Sequence, residues 1–155
     1  MWCSFMSKIN SVWVFGSTSE IAMEICYQLA KKGCKKFCFF ARNETKNEIF
    51  ISKLKRDFSV EIDSHKLDLN NKNYPKKNSF KDYDLYIIAT GFLGKKNKTI
   101  SDEKEIFDVN FTFLIPWIKS IFTKERIEKK GSLWIFSSVA GDKGRPSNYQ
   151  YGCRK

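Results

Sequence analysis

The chain has one histidine, His65, in 155 residues. A zinc site built on imidazoles, or a triad that uses histidine as its base, has almost nothing to draw on. The five thiols (Cys3, Cys26, Cys34, Cys38 and Cys153) are an odd number. Cys34 and Cys38 are four apart, but no second pair or ligand histidine accompanies them, so the sequence predicts reduced thiols and no metal site. Arginine is also sparse: of 28 basic residues only Arg42, Arg56, Arg126, Arg145 and Arg154 carry a guanidinium. The formal net charge of +11 rests on lysines scattered along the chain, not on the clustered basic stripe of a nucleic-acid surface, and no nucleic-acid partner is expected. No apolar run approaches the ~20 residues of a membrane span. The first fifteen residues hold neither a signal-peptide core nor a small-residue cleavage site. A cytoplasmic protein is expected, with Met6 as an alternative start to Met1.

What is present is a globular composition. Apolar residues make up 42%, with 14 Phe and 4 Trp, enough for one self-supporting domain over residues 1–155. Strand and helix patterns alternate. Ser11–Phe15 reads as a first strand, and Gly16-Ser17-Thr18-Ser19 follows it at once. From Glu20 to Lys32 the period is helical, with Ile21, Ile25 and Leu29 on one face beside Ala22, Cys26 and Ala30, and Gly33 as the stop. Lys36–Ala41 is an apolar strand of the buried parallel kind, and Asn47–Phe58 a second helix with Ile49, Phe50, Leu54 and Phe58 inward.

A third strand runs over Val60–Leu67. Residues 70–84 read as a loop or a degraded crossover helix, and Leu85–Ala89 as the fourth strand. A long helix is predicted from about Asp102 towards Lys124, capped by Thr99 or Ser101 and broken near Phe111–Pro116. Ser132–Ser138 is the fifth strand, and Ser147 caps the start of a last helix. Alternation of this kind implies an α/β fold with a doubly wound parallel sheet, whose ligands sit beyond the carboxyl ends of the strands.

The segment Gly16-Ser17-Thr18-Ser19-Glu20-Ile21-Ala22 lies where a dinucleotide fold makes its tight turn and aims backbone N–H groups at a pyrophosphate. The second strand ends in Ala41-Arg42-Asn43, with a guanidinium in place of the carboxylate that binds a ribose 2′-hydroxyl. That exchange predicts NADP(H), with NAD(H) the less favoured coenzyme. At the other end stand Ser138, Tyr151 and Lys155, the last two four residues apart and so on one helix face.

These segments resemble the short-chain dehydrogenase/reductase family. The turn resembles its Thr-Gly-x-x-x-Gly-x-Gly loop, with Phe15, Glu20 and Ala22 replacing the threonine and the later glycines. The resemblance implies a Rossmann sheet, incomplete here at about five strands. It also implies hydride transfer between a nicotinamide coenzyme and a small-molecule carbonyl or secondary alcohol. Asp68 matches an aspartate that caps the adenine amino group, and Ala89-Thr90-Gly91 matches the end of the fourth-strand motif. Ser138 would hydrogen-bond the substrate oxygen, and Tyr151 would pass the proton. Lys155 would lower the tyrosine pKa from its ordinary ~10 and bind the nicotinamide ribose. Asn110 matches a fourth catalytic residue that supports a water-linked proton path.

Residues 16–22 and 140–149 further resemble members that act on keto-sugars of cell-envelope synthesis, such as a polyprenylphosphoryl 2-keto-ribose reductase. In full-length members the part beyond Lys155 supplies later strands and commonly the helices of a homo-oligomer interface. The alternative expectation is therefore an inactive truncated fragment that retains weak nucleotide or partner binding.

Overall fold

The polar side chain of Asp84 ties down the start of the first strand. Its Oδ2 accepts from the Asn10 and Ser11 N–H groups, each at 2.9 Å, and from the Ser11 hydroxyl at 3.0 Å. From that anchor β1 (Ser11–Phe15) runs through the middle of the sheet, its last four residues buried. The computed structural model describes residues 9–69, 82–92, 100–122 and 131–138.

Around β1 lie β2 (Lys36–Ala41), β3 (Glu61–Lys66), β4 (Leu85–Ile88) and β5 (Ser132–Ile135). All pairings are parallel and the order is β3-β2-β1-β4-β5. The expected doubly wound sheet is therefore observed. Its aromatic content is concentrated at the centre: Trp13 stacks along Phe15 at 5.5 Å and meets Phe40 at 5.0 Å and Tyr86 at 6.0 Å. Fully burying side chains of this size stabilises by about 1.5–3 kcal/mol each.

Helix α1 (Glu20–Lys31) buries Ala22, Cys26, Leu29 and Ala30. Gly33, at φ 100, ends it by adopting a left-handed conformation closed to most residues, and its N–H donates to the Ala30 carbonyl at 3.0 Å. Of the residues read as its apolar side Ala22, Cys26, Leu29 and Ala30 are buried, while Ile21 is 64% exposed.

Helix α2 (Glu44–Asp57) begins three residues before the expected Asn47, because the Asn43 side chain accepts from the Lys46 N–H at 2.9 Å and caps it there. Phe50 and Leu54 are inward as expected, but Ile49 is 69% exposed and Asn47 takes the third inward place. Residues 47, 50 and 54 stand at the i, i+3, i+7 spacing of one helix face. Phe50 packs on Phe39 at 5.7 Å, and Asn47 reaches Ser64, the register partner of Phe39.

The described residues fall into two units. The first holds the sheet with α1 and α2. The second holds residues 68–69, 90–92, 136–138 and the helical segment. The helix expected from Asp102 begins at Ile100, so Ser101 lies inside it, while Thr99 is outside the described residues. Helix α3 (Ile100–Asn110) ends at the expected break; a 3-10 turn (Thr112–Leu114) follows, and α4 (Ile115–Ile121) restarts with Pro116 in its first turn. There proline costs nothing, because the N–H it lacks would have had no intrahelical acceptor. No helix among the described residues is long and apolar enough to cross a membrane.

Candidate coenzyme and catalytic sites

In this sheet the chain runs outward from β1 to β3, then returns to the other side of β1 as β4. The order reverses between β1 and β4, and doubly wound sheets hold their ligands beyond the carboxyl ends of the strands at such a switch point. Phe15 and Ile88 are register partners there, and the Ala89 N–H donates to the Phe15 carbonyl at 2.8 Å, extending the pairing by one residue. Gly16 and Ala89, both predicted coenzyme residues, directly follow the carboxyl ends of these two strands.

Gly16 takes φ 85, a left-handed turn that lets the chain leave β1 sharply. The Gly16 and Ser17 N–H groups both donate to the Phe40 carbonyl at the end of β2, at 2.9 and 3.1 Å. Not every N–H group of the turn is therefore free for a ligand. The first two are committed to β2. The turn closes with Ser19 N–H to the Gly16 carbonyl at 3.0 Å, and Met23 N–H to Ser19 carbonyl at 2.8 Å opens the helix ladder. Ser19 is the N-cap residue, but its hydroxyl makes no cap bond. The N–H groups of Glu20, Ile21 and Ala22 lack intrahelical acceptors, as at every helix start, and carry the positive end of the helix dipole. Thr18 is half-buried, and the Glu20 side chain is exposed.

Arg42 follows β2, two residues beyond the Phe40 carbonyl that holds the turn, and is exposed. Among the described residues it forms no ion pair. The sequence reading missed Asn47, the buried partner of Ser17. Ser17, predicted to face the coenzyme, is 1% exposed, and its hydroxyl donates to Asn47 Oδ1 at 2.7 Å. Asn47, 2% exposed, donates in turn from Nδ2 to Ser64 Oγ at 2.9 Å. The signal was an asparagine in phase with Phe50 and Leu54, a polar residue at a position whose spacing demands burial.

In the second unit, Asn110 is 6% exposed and makes a reciprocal pair with Phe92: Phe92 N–H to Oδ1 and Nδ2 to the Phe92 carbonyl, both 2.8 Å. Asn110 is thus the last residue of α3, not a mid-helix one. Its amide is committed to the backbone just after Thr90 and Gly91. Asp68 and Thr90 are half-buried, Gly91 is exposed, and Ser138 is half-buried while Ser137 is exposed. Tyr151 and Lys155 lie outside the described residues, as do residues 140–149.

The buried thiols are poor nucleophiles. Burial pushes the Cys26 thiol far above its ordinary value, with Cys34 adding to the effect, and burial pushes Cys34 up to about 11. Among the described residues no group of acids, histidines and cysteines could hold a metal ion.

Comparison with known proteins gives the same picture. An oxidoreductase from Escherichia coli is similar with a TM-score of 0.78 at 20% identity, over 97% of this chain and 67% of its own. A Shigella flexneri protein described as a short chain dehydrogenase, solved with NADP, gives 0.78 at 19% identity, over 94% and 66%. An actinorhodin polyketide ketoreductase, solved with NADPH, gives 0.77 at 19%, over 96% and 60%. The chain spans about two thirds or less of the length of these three. A family model described as short chain dehydrogenase matches residues 10–155, and with the sheet order just described it makes this chain a member of the short-chain dehydrogenase family of oxidoreductases.

Proposed function

We propose that this chain carries the coenzyme turn and the proton-transfer residues of an NADP(H)-dependent reductase acting on a carbonyl or secondary alcohol. One observation carries the coenzyme half: a left-handed Gly16 turn at the switch point of the sheet is bonded to the end of the strand that presents Arg42. The residues fit a phosphorylated dinucleotide. The start of α1 offers N–H groups to a pyrophosphate. Arg42 offers a fork of donors matched to a 2′-phosphate, and no carboxylate stands in its place. Two of the similar structures were solved with NADP or NADPH, in keeping with that choice.

When bound, the nicotinamide supplies the hydride. The chain's own task is then the proton. Tyr151 holds it for the developing alkoxide, and Lys155, four residues on, favours the tyrosinate form so that transfer works near neutral pH. Ser138 orients the substrate oxygen, and Asn110, fixed to the Phe92 peptide, holds the turn after β4 in place. Asp68, Ala89, Thr90 and Gly91 stand on the adenine side of the same reading. A keto-sugar substrate is the narrower reading, supported by the likeness in residues 16–22 and 140–149.

Fluorescence titration with NADPH and NADH tests the proposal. Saturable binding with NADPH the tighter ligand is expected, and reduction of a test ketone should vanish in Tyr151→Phe. A chain that is folded but binds neither coenzyme would overturn it.

A further inference from the structure

Three residues from three elements form a polar chain between α2 and the sheet, with Ser17 and Asn47 buried and Ser64 at its exposed end. Ser17 belongs to the coenzyme turn, Asn47 to α2 and Ser64 to β3, joined at 2.7 and 2.9 Å. A buried amide such as that of Asn47 costs stability unless it is bonded, and an aliphatic residue at position 47 would have packed beside Phe50 without that demand. The network therefore fixes a geometry that apolar packing would leave adjustable.

What it fixes is the turn. The Ser17 hydroxyl also lies 3.4 Å from the Phe40 carbonyl, which already accepts the Gly16 and Ser17 N–H groups. The turn is thus held from the side by the end of β2 and from beneath by the third residue after the α2 start. Asn43 connects the two supports, since it caps α2 and follows Arg42 directly. Moving Asn47 moves the Gly16 turn relative to the strand end that presents Arg42.

We infer that Asn47 is a positioning residue for the coenzyme: through Ser17 it sets the spacing between the pyrophosphate turn and Arg42, and so the discrimination between NADPH and NADH. The inference rests on the NADP(H) reading above. A positioning role and a merely structural one separate cleanly. A structural asparagine, once replaced, lowers the melting temperature and leaves the NADPH/NADH affinity ratio alone at temperatures where the protein is folded. A positioning one changes the ratio.

The test is coenzyme titration of Asn47→Leu and Ser17→Ala beside the unmodified chain, well below each melting temperature. Both variants should lose NADPH affinity by about fivefold or more, the scale of a group displaced or left unbonded in the interior. NADH affinity should fall less, so the ratio narrows. The double variant should lose little more than either single one, because both break the same bond. Ser64→Ala, which cuts only the far end, should have the smallest effect. If Asn47→Leu does not fold, Ser17→Ala carries the test, since it only deletes an oxygen. An unchanged ratio in a folded Ser17→Ala or Asn47→Leu protein overturns the inference and leaves the NADP(H) reading standing. Absence of any coenzyme binding by the unmodified chain overturns both.

Discussion

Asn110 and Phe92 hold each other by both edges of an amide: the side chain accepts the Phe92 N–H and donates to the Phe92 carbonyl, each at 2.8 Å. The pair joins the end of α3 to the residue that follows Thr90-Gly91. Replacing Asn110 by leucine removes both bonds and should cost about 2–4 kcal/mol in urea unfolding.

Asn110→Asp gives a pH-dependent version of the same test. Aspartate can still accept the Phe92 N–H, but its second oxygen faces the carbonyl, so the charged form is disfavoured when folded. The folded-state pKa is therefore raised above the unfolded value of ~3.9. The variant should approach the parent below that value and lose stability as pH rises through the folded pKa. Equal destabilisation at pH ~4 and ~8 would rule out the pairing as described.

Arg42 should govern the choice of coenzyme. Arg42→Ala is expected to weaken NADPH by about tenfold to a hundredfold, the scale of charge-assisted hydrogen bonds, with NADH little changed. Titration of both coenzymes reads it directly. An unaltered affinity ratio would show that the exposed guanidinium is only a surface charge.

Gly16 tests the turn itself. Any residue with a Cβ meets a steric penalty at φ 85, so Gly16→Ala should lower stability by about 1–2 kcal/mol. It should also weaken coenzyme binding, because the two N–H bonds to Phe40 depend on that conformation. A neutral outcome in both measurements would mean that the turn does not need its left-handed form.

The buried thiols should be protected. Cys26, Cys34 and Cys38 are buried, and burial raises the first two above the range where thiolates form. Alkylation of the native chain at pH ~8, followed by peptide mapping, should leave these three unmodified until denaturant is added. Rapid labelling of Cys26 in the native protein would contradict the packing of α1.

Much of this is legible in the amino-acid sequence. The strand patterns placed all five strands within a few residues, and Pro116 marked the break near Asn110. Helix faces were read less well. Ile49 is expected inward from its hydrophobicity, yet it is exposed, while Asn47, two residues before it, is buried. A small rotation of the inward stripe costs little in periodicity, and small side chains such as Ala22 suit the close approach of a helix to a sheet.

The sequence by itself determined the local chemistry: the glycine at the turn, the guanidinium after β2, the Ser138, Tyr151 and Lys155 spacing and the family they resemble. These depend on residues near one another in the chain, or on which residue type the chemistry needs. Only the tertiary structure decided where the donors go. Two N–H groups of the Gly16 turn are held by Phe40, and the Ser17 hydroxyl is turned inward to Asn47. Those bonds span 23 to 30 residues, and they form because buried polar groups take whichever partner the packed strands bring near.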